Sequence, residues 1–335
     1  MNAWLSRKFH WMSFIATWAV VCIHSHTMRW NDAASDWANR FQMIMLNAFH
    51  FAVPLFFVIS GYVFVLSWRK YRYGEFLCKK FTGLYIPAVL GSWLIMLLVM
   101  PIRIYSGNFV PSFGDFVKVL WLDFSSGCVH LWYVRALIVA FLLAPVLYFS
   151  IRKWWLGVVL MAVAVTVHYD VHWFALNIPR TVFYMIGGGL LAYNVGAERL
   201  YRMRGDGWAS MALGVAIMLS AIVARRWNIL FFESFSFPVG QILFLSGLYD
   251  LIDSKLDGGV PAFPGRFAVM FFIYCFHLVT ISWIGGCLRL VLGTGGAARI
   301  TAYFILWSTF FIDILLANAV RKLFPKIYQI LAGGR

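Results

Sequence analysis

The chain has 335 residues, 62% of them hydrophobic and only 12% charged, with a mean hydropathy of +0.79. An apolar share so far above that of water-soluble domains excludes an ordinary globular protein and makes this an integral membrane protein. The net charge of +15 does not signal a nucleic-acid partner, because the basic residues stand between apolar runs rather than along one face.

A helical crossing takes about 20 mostly apolar residues, and polar, glycine and proline clusters divide the chain into ten such runs. They cover roughly 11–28, 42–67, 84–104, 130–150, 154–170, 180–196, 208–224, 237–253, 267–285 and 299–320. The first run follows Arg7 and Lys8 and leads into polar residues rather than a small-residue cleavage site, so it is expected to stay as a span. Basic residues favour the side of Arg7 and Lys8 by about two to one, which places both termini in the cytoplasm. The expected fold is therefore an all-α integral membrane protein of about ten transmembrane helices in one bundle. No repeat, linker or low-complexity tract divides it, so 1–335 reads as a single domain. The five cysteines (Cys22, Cys78, Cys128, Cys275 and Cys287) lie mostly in apolar runs without C-x-x-C spacing and read as small core residues.

The polar residues inside or beside these runs are the functional candidates. His24 stands within "TWAVVCIHSH", and an ionisable group inside a span is costly unless it serves a purpose. The inner run "WRKYRYGEFLCKK" carries Arg69, Lys79 and Lys80, read either as ordinary positive-inside charge or as a collar for a phosphorylated cytosolic ligand. His130 heads the run "HLWYVRALIVAFLLAPVLY"; Arg135, about a turn and a half later, either snorkels to the interface or meets an anion or acyl donor. "HYDVH" puts His168 and His172 at i and i+4, yet no thiolate or carboxylate partner has the fixed spacing of a metal site, and no metal is predicted. "GGGL" at 187–190 lies in a span and reads as a site of close helix packing rather than a phosphate loop. Under the expected topology His24, His26, His50, His130, His168 and His172 gather in the outer half of the membrane or just outside it. Arg180 and Glu233 stand at the same level, and His130 is expected to face a cavity open to the outer side. For His26, His168 and His172 the interfacial role common to amphipathic rings is the simpler alternative.

Four stretches, in order along nearly the whole chain, carry a resemblance. "WAVVCIHSH" (18–26), "FAVPLFFVISGYVF" (51–64), "HLWYVRALIVAFLLAPVLY" (130–148) and "IYCFHLVTI" (273–281) resemble the acyltransferase-3 family of polytopic membrane acyltransferases, especially its bacterial single-domain O-acetyltransferases. The ending "LFPKIYQILAGGR" is similar too. One position departs: the family's arginine, eleven residues before the first-span histidine, is Ser13 here, so that either Arg7 or Lys8 substitutes from a neighbouring turn, or the donor is handled differently, or activity is lost.

The resemblance implies transfer of an acetyl or other short acyl group from acyl-CoA, in the first place acetyl-CoA, to a sugar hydroxyl of an envelope glycan or lipid-linked saccharide at the bacterial inner membrane. His24 would be the base or a transient acyl carrier, and His130 and His277 would be further catalytic candidates. Trp132, Tyr133 and Tyr274 would orient the acceptor or acyl group, with Arg135, Arg180 and Glu233 as further substrate contacts. Ser60 and Gly61 would permit a helix break where the donor approaches. Arg69, Lys79 and Lys80 would meet the coenzyme A phosphates. Two alternatives stand beside this: a transporter or flippase of an envelope lipid or glycan, and an inactive family member that binds glycan, for which Ser13 speaks. A transporter commonly shows an inverted repeat, and none is visible.

Overall fold

The computed structural model describes residues 2–30, 36–105, 110–125, 128–170, 177–227, 230–257 and 259–334, and for 168–170 and 230–233 the backbone alone. It is helical, with no strand among the described residues. In chain order the helices are α1 (Ala3–His24), α2 (Trp37–Ala48), α3 (Ala52–Trp68), α4 (Tyr73–Lys80), α5 (Ile86–Tyr105), α6 (Phe113–Lys118), α7 (Trp132–Leu142), α8 (Ala144–Arg152) and α9 (Trp154–Asp170). They continue with α10 (Ile178–Leu190), α11 (Gly196–Arg202), α12 (Gly207–Arg226), α13 (Leu230–Lys255), α14 (Met270–Leu292), α15 (Gly296–Trp307), α16 (Thr309–Leu323) and α17 (Pro325–Leu331).

Each of the ten apolar runs falls on helix. Six helical stretches are long and apolar enough to cross a membrane; one of them, Ile178–Arg226, contains two of the expected runs, and Trp154–Val167 is apolar but shorter. A seventh arises if Val129–Leu142 and Ala144–Arg152, bent by 73°, count as one broken span. The bend has a chemical cause: Pro145 has no N–H to give to the carbonyl of Phe141 and its ring crowds that carbonyl. Pro87, at the start of α5, has a similar effect. Its missing donor falls opposite Gly83, and the backbone passes through a wide π turn at Phe81–Tyr85 between α4 and α5. Large apolar side chains such as Leu98, Ile104, Val146, Leu219 and Leu315 remain exposed, as suits a surface whose solvent is lipid.

Two compact units make up the chain. The first comprises 1–16, 50–78 and 136–264. Its helices touch through glycines. A Cβ on Gly61 would lie 2.0 Å from the carbonyl oxygen of Met185, and one on Gly188 only 1.9 Å from that of Val58, so α3 and α10 cross backbone to backbone. The GGGL stretch thus packs as expected, whereas α3 runs unbroken through Ser60 and Gly61, where a helix break was expected. In α12 and α13, Gly207 meets Gly247 and Gly214 meets Gly240, pairs seven residues apart on antiparallel helices. A buried ion pair joins Lys8 Nζ to both oxygens of Asp250 at 2.7 Å.

The second unit comprises 17–49, 79–135 and 265–335. Here α5 and α14 run the same way, with Gly91 beside Phe276, the Trp283 indole donating to the Leu98 carbonyl at 3.0 Å, and Gly286 against Ile102. After α5 the chain doubles back. The Trp93 indole donates to the Phe116 carbonyl and the Tyr85 hydroxyl to the Leu120 carbonyl, both at 2.9 Å. Twenty residues of α5 span about 30 Å, so this segment returns most of a membrane thickness and is no simple loop at the helix end. α6 opens with a capping box, Ser112 with Asp115. Arg299, fully buried at the start of α15, pairs with Asp36 and donates to Asn39 Oδ1 at 2.6 Å.

Candidate active site

The second unit gathers three histidines from distant parts of the sequence. His24 is the last residue of α1, His130 sits in the 3-10 turn Val129–Leu131 just before α7, and His277 lies in the first half of α14. Ring centroids are 5.1 Å apart for His24–His277 and for His130–His277, and 6.1 Å for His24–His130. His130 and His277 are buried and His24 is half-buried.

Backbone carbonyls settle which nitrogens are basic. His130 Nε2 is 2.8 Å from the Cys275 carbonyl, and His277 Nδ1 is 2.9 Å and 3.1 Å from the carbonyls of Tyr274 and Ile273. A carbonyl oxygen only accepts, so each of these nitrogens carries the hydrogen and the opposite nitrogen holds a lone pair. Those opposite atoms, His130 Nδ1 and His277 Nε2, are buried and have no hydrogen-bond partner among the described residues. The Tyr274 hydroxyl donates to the His130 carbonyl, so consecutive residues of α14, Tyr274 and Cys275, hold His130 by its backbone and its ring. Tyr133 packs edge-on against Tyr274 at 5.5 Å. No group of three histidine, cysteine or acidic side chains among the described residues is arranged to hold a metal ion.

The other candidates fall as follows. Trp132, half-buried, follows His130 directly in α7. Arg135 directs NH1 to the Leu122 carbonyl at 3.4 Å. Beside it, the Ser125 hydroxyl and backbone N–H hold the Asp123 carboxyl below the usual carboxylate range, with Arg135 adding to the effect. Lys79 and Lys80 end α4 in the second unit. Arg69 belongs to the first, its guanidinium 5.0 Å over the Tyr193 ring, as do Ser60 and Gly61 in α3 and Arg180, which donates to the Ser234 carbonyl at 3.0 Å. The side chains of Glu233 and His168, and all of His172, lie outside the described residues. Lys8 is committed to Asp250 and so does not replace the arginine missing at Ser13.

Two polar groups near the histidines escaped the sequence reading. Asp313, buried in α16, accepts from the Thr280 hydroxyl one turn after His277, and its Oδ2 has no partner among the described residues. Its signal was plain: a lone acid inside the last apolar run. Arg299 fixes the segment after His24 less directly. Its carbonyl accepts from the Thr27 hydroxyl at 3.1 Å, and the Thr27 N–H donates to Gln42 at 2.8 Å. In the sequence it looked like one more flanking cation.

No curated protein and no solved structure matches this chain. The sequence model of the acyltransferase-3 acyltransferase domain, however, matches residues 7–317, a range that holds all three histidines and both halves of their carbonyl clamps. The chain is a member of the acyltransferase-3 family, a membrane acyltransferase.

Proposed function

We propose that the protein transfers an acetyl or other short acyl group from acyl-CoA to a sugar hydroxyl of an envelope glycan or its lipid-linked precursor. The observation that carries this reading is the pair of unpartnered basic nitrogens, His130 Nδ1 and His277 Nε2, beside the half-buried His24. A sugar hydroxyl is a weak nucleophile at neutral pH, and a positioned imidazole that takes its proton is the usual remedy. His24 is that base. As the hydroxyl oxygen bonds to the thioester carbonyl carbon, its proton passes to His24. The carbon–sulfur bond then breaks, and the proton leaves on the coenzyme A thiolate, so the overall exchange consumes no further proton. Of the two N–H groups of the imidazolium, one faces the reacting oxygen and then the thiolate, and the other donates to a lone pair of His130 or His277, which stabilises the charged state in a site poor in water. Trp132, half-buried, offers a flat face for the sugar ring, the buried Tyr133 and Tyr274 support His130, and Lys79 and Lys80 serve the donor phosphates.

The reading includes ten spans with both termini in the cytoplasm of a bacterial inner membrane. It is supported by the side bias of the basic residues and by helix at every expected run. Family membership favours it over transport. A second reading, glycan binding without transfer, draws on Ser13. Incubating purified protein with acetyl-CoA and deacetylated envelope glycan, and following free coenzyme A thiol, separates the two. Acceptor-dependent thiol release supports transfer; glycan binding with no release favours the second.

A further inference from the structure

Within the first unit, where the start of α1, α11 and the end of α13 meet, lies a cavity of about 550 Å³. Its walls include Trp4, Arg7, Glu198, Tyr201, Arg204 and Asp253. The charges in this wall are unevenly matched. Lys8 is committed to Asp250 at 2.7 Å. The Asp253 carboxylate is buried and saturated: it accepts from the Trp4 indole at 3.0 Å and the Val260 N–H at 2.8 Å, and pairs with Arg204 at 3.5 Å. The loop is shaped around it, for Gly259 has φ +76° and a Cβ there would lie 2.7 Å from Asp253 Oδ1. Glu198 stands exposed, 3.9 Å from Arg202. That leaves Arg7. Among the described residues no carboxylate pairs with it, and its Nε is buried without a hydrogen-bond partner. The Arg204 guanidinium lies 4.2 Å over the Tyr201 ring and gives NH1 to Asp253, which leaves its other N–H groups for a ligand.

We propose that this cavity is a binding site for a phosphate-bearing ligand, whose oxyanion is held by the guanidinium groups of Arg7 and Arg204. A lining in which the buried acid, Asp253, already has its partners while one cation, Arg7, stays unmatched favours an anion. Guanidinium forks fit the tetrahedral oxygens of phosphate, and the volume admits more than a single small ion. The ligand has two sources: an anionic phospholipid headgroup, for which basic pockets between membrane helices are suited, or a soluble phosphate ester of the coenzyme A kind. The site stands whether or not the histidines transfer acyl groups.

The test uses the full-length protein in detergent, with phosphatidylglycerol and coenzyme A as separate probes and binding read by native mass spectrometry. At least one probe is expected to bind wild type, and Arg7→Gln to weaken it about tenfold, the worth of one charge-assisted pair. Arg7→Lys should keep part of the affinity, and Arg226→Gln, exposed at the end of α12, should bind as wild type does. Should Arg7→Gln not accumulate, Arg204→Gln takes its place with the same expected loss. The probe whose binding Arg7→Gln weakens identifies the source. Failure of both probes to bind wild type, equal binding by the Arg7→Gln protein, or an equal loss in Arg226→Gln would each overturn the proposal.

Discussion

His130 and His277 show how a backbone decides the chemistry of a side chain. Each gives one ring nitrogen to carbonyls of α14, and the other nitrogen is thereby left as a base. The sequence marked His24, His130 and His277 through the family motifs, but nothing in their spacing says that the three rings meet. That juxtaposition depends on α14 clamping a turn more than 140 positions away. Arg299 was the least legible residue: an arginine bordering an apolar run looks like a flanking charge, and its burial follows only from Asp36 and Asn39 reaching it. Removing one partner of a buried pair strands the other, so Arg299→Met should cost about 3–5 kcal/mol and Arg299→Lys distinctly less. Thermal melting in detergent measures this, and a methionine variant that melts with wild type would refute it.

At the scale of elements, composition was a good guide to where helices lie and a poor one to how they break. Every apolar run became helix because lipid leaves backbone polar groups no other partner. Pro145 bends the 130–150 run, which the hydropathy had marked as a single span. Ser60 and Gly61 misled, since a glycine in a span serves either a break or a close approach, and here Met185 lies against it. The doubled-back segment 110–125 could not be read at all, because its tether is two aromatic side chains of the preceding helical stretch bonding its carbonyls. The glycine crossing makes a sharp prediction. Gly188→Leu should abolish the folded monodisperse protein in size-exclusion chromatography, because Val58 backbone occupies the space, whereas Gly187→Ala, with only Met161 at 3.9 Å, should be tolerated. Equal behaviour of the two variants would contradict the backbone contact between α3 and α10.

For the whole molecule, hydropathy and charge settled the class, and the family model the broad activity. Orientation is testable directly: reporters fused after residue 335 and within 199–206 should both report the cytoplasm, and an external signal from either would overturn the proposed topology. The central claim is that the histidine cluster performs acyl transfer with His24 as base. Its most direct test expresses wild type and His24→Ala at equal membrane levels in a host without such an enzyme, supplies labelled acetate, and analyses envelope glycan by mass spectrometry. The account predicts label with wild type and a loss of about 100-fold or more in the variant, the usual contribution of a general base. Equal labelling by both proteins would contradict it.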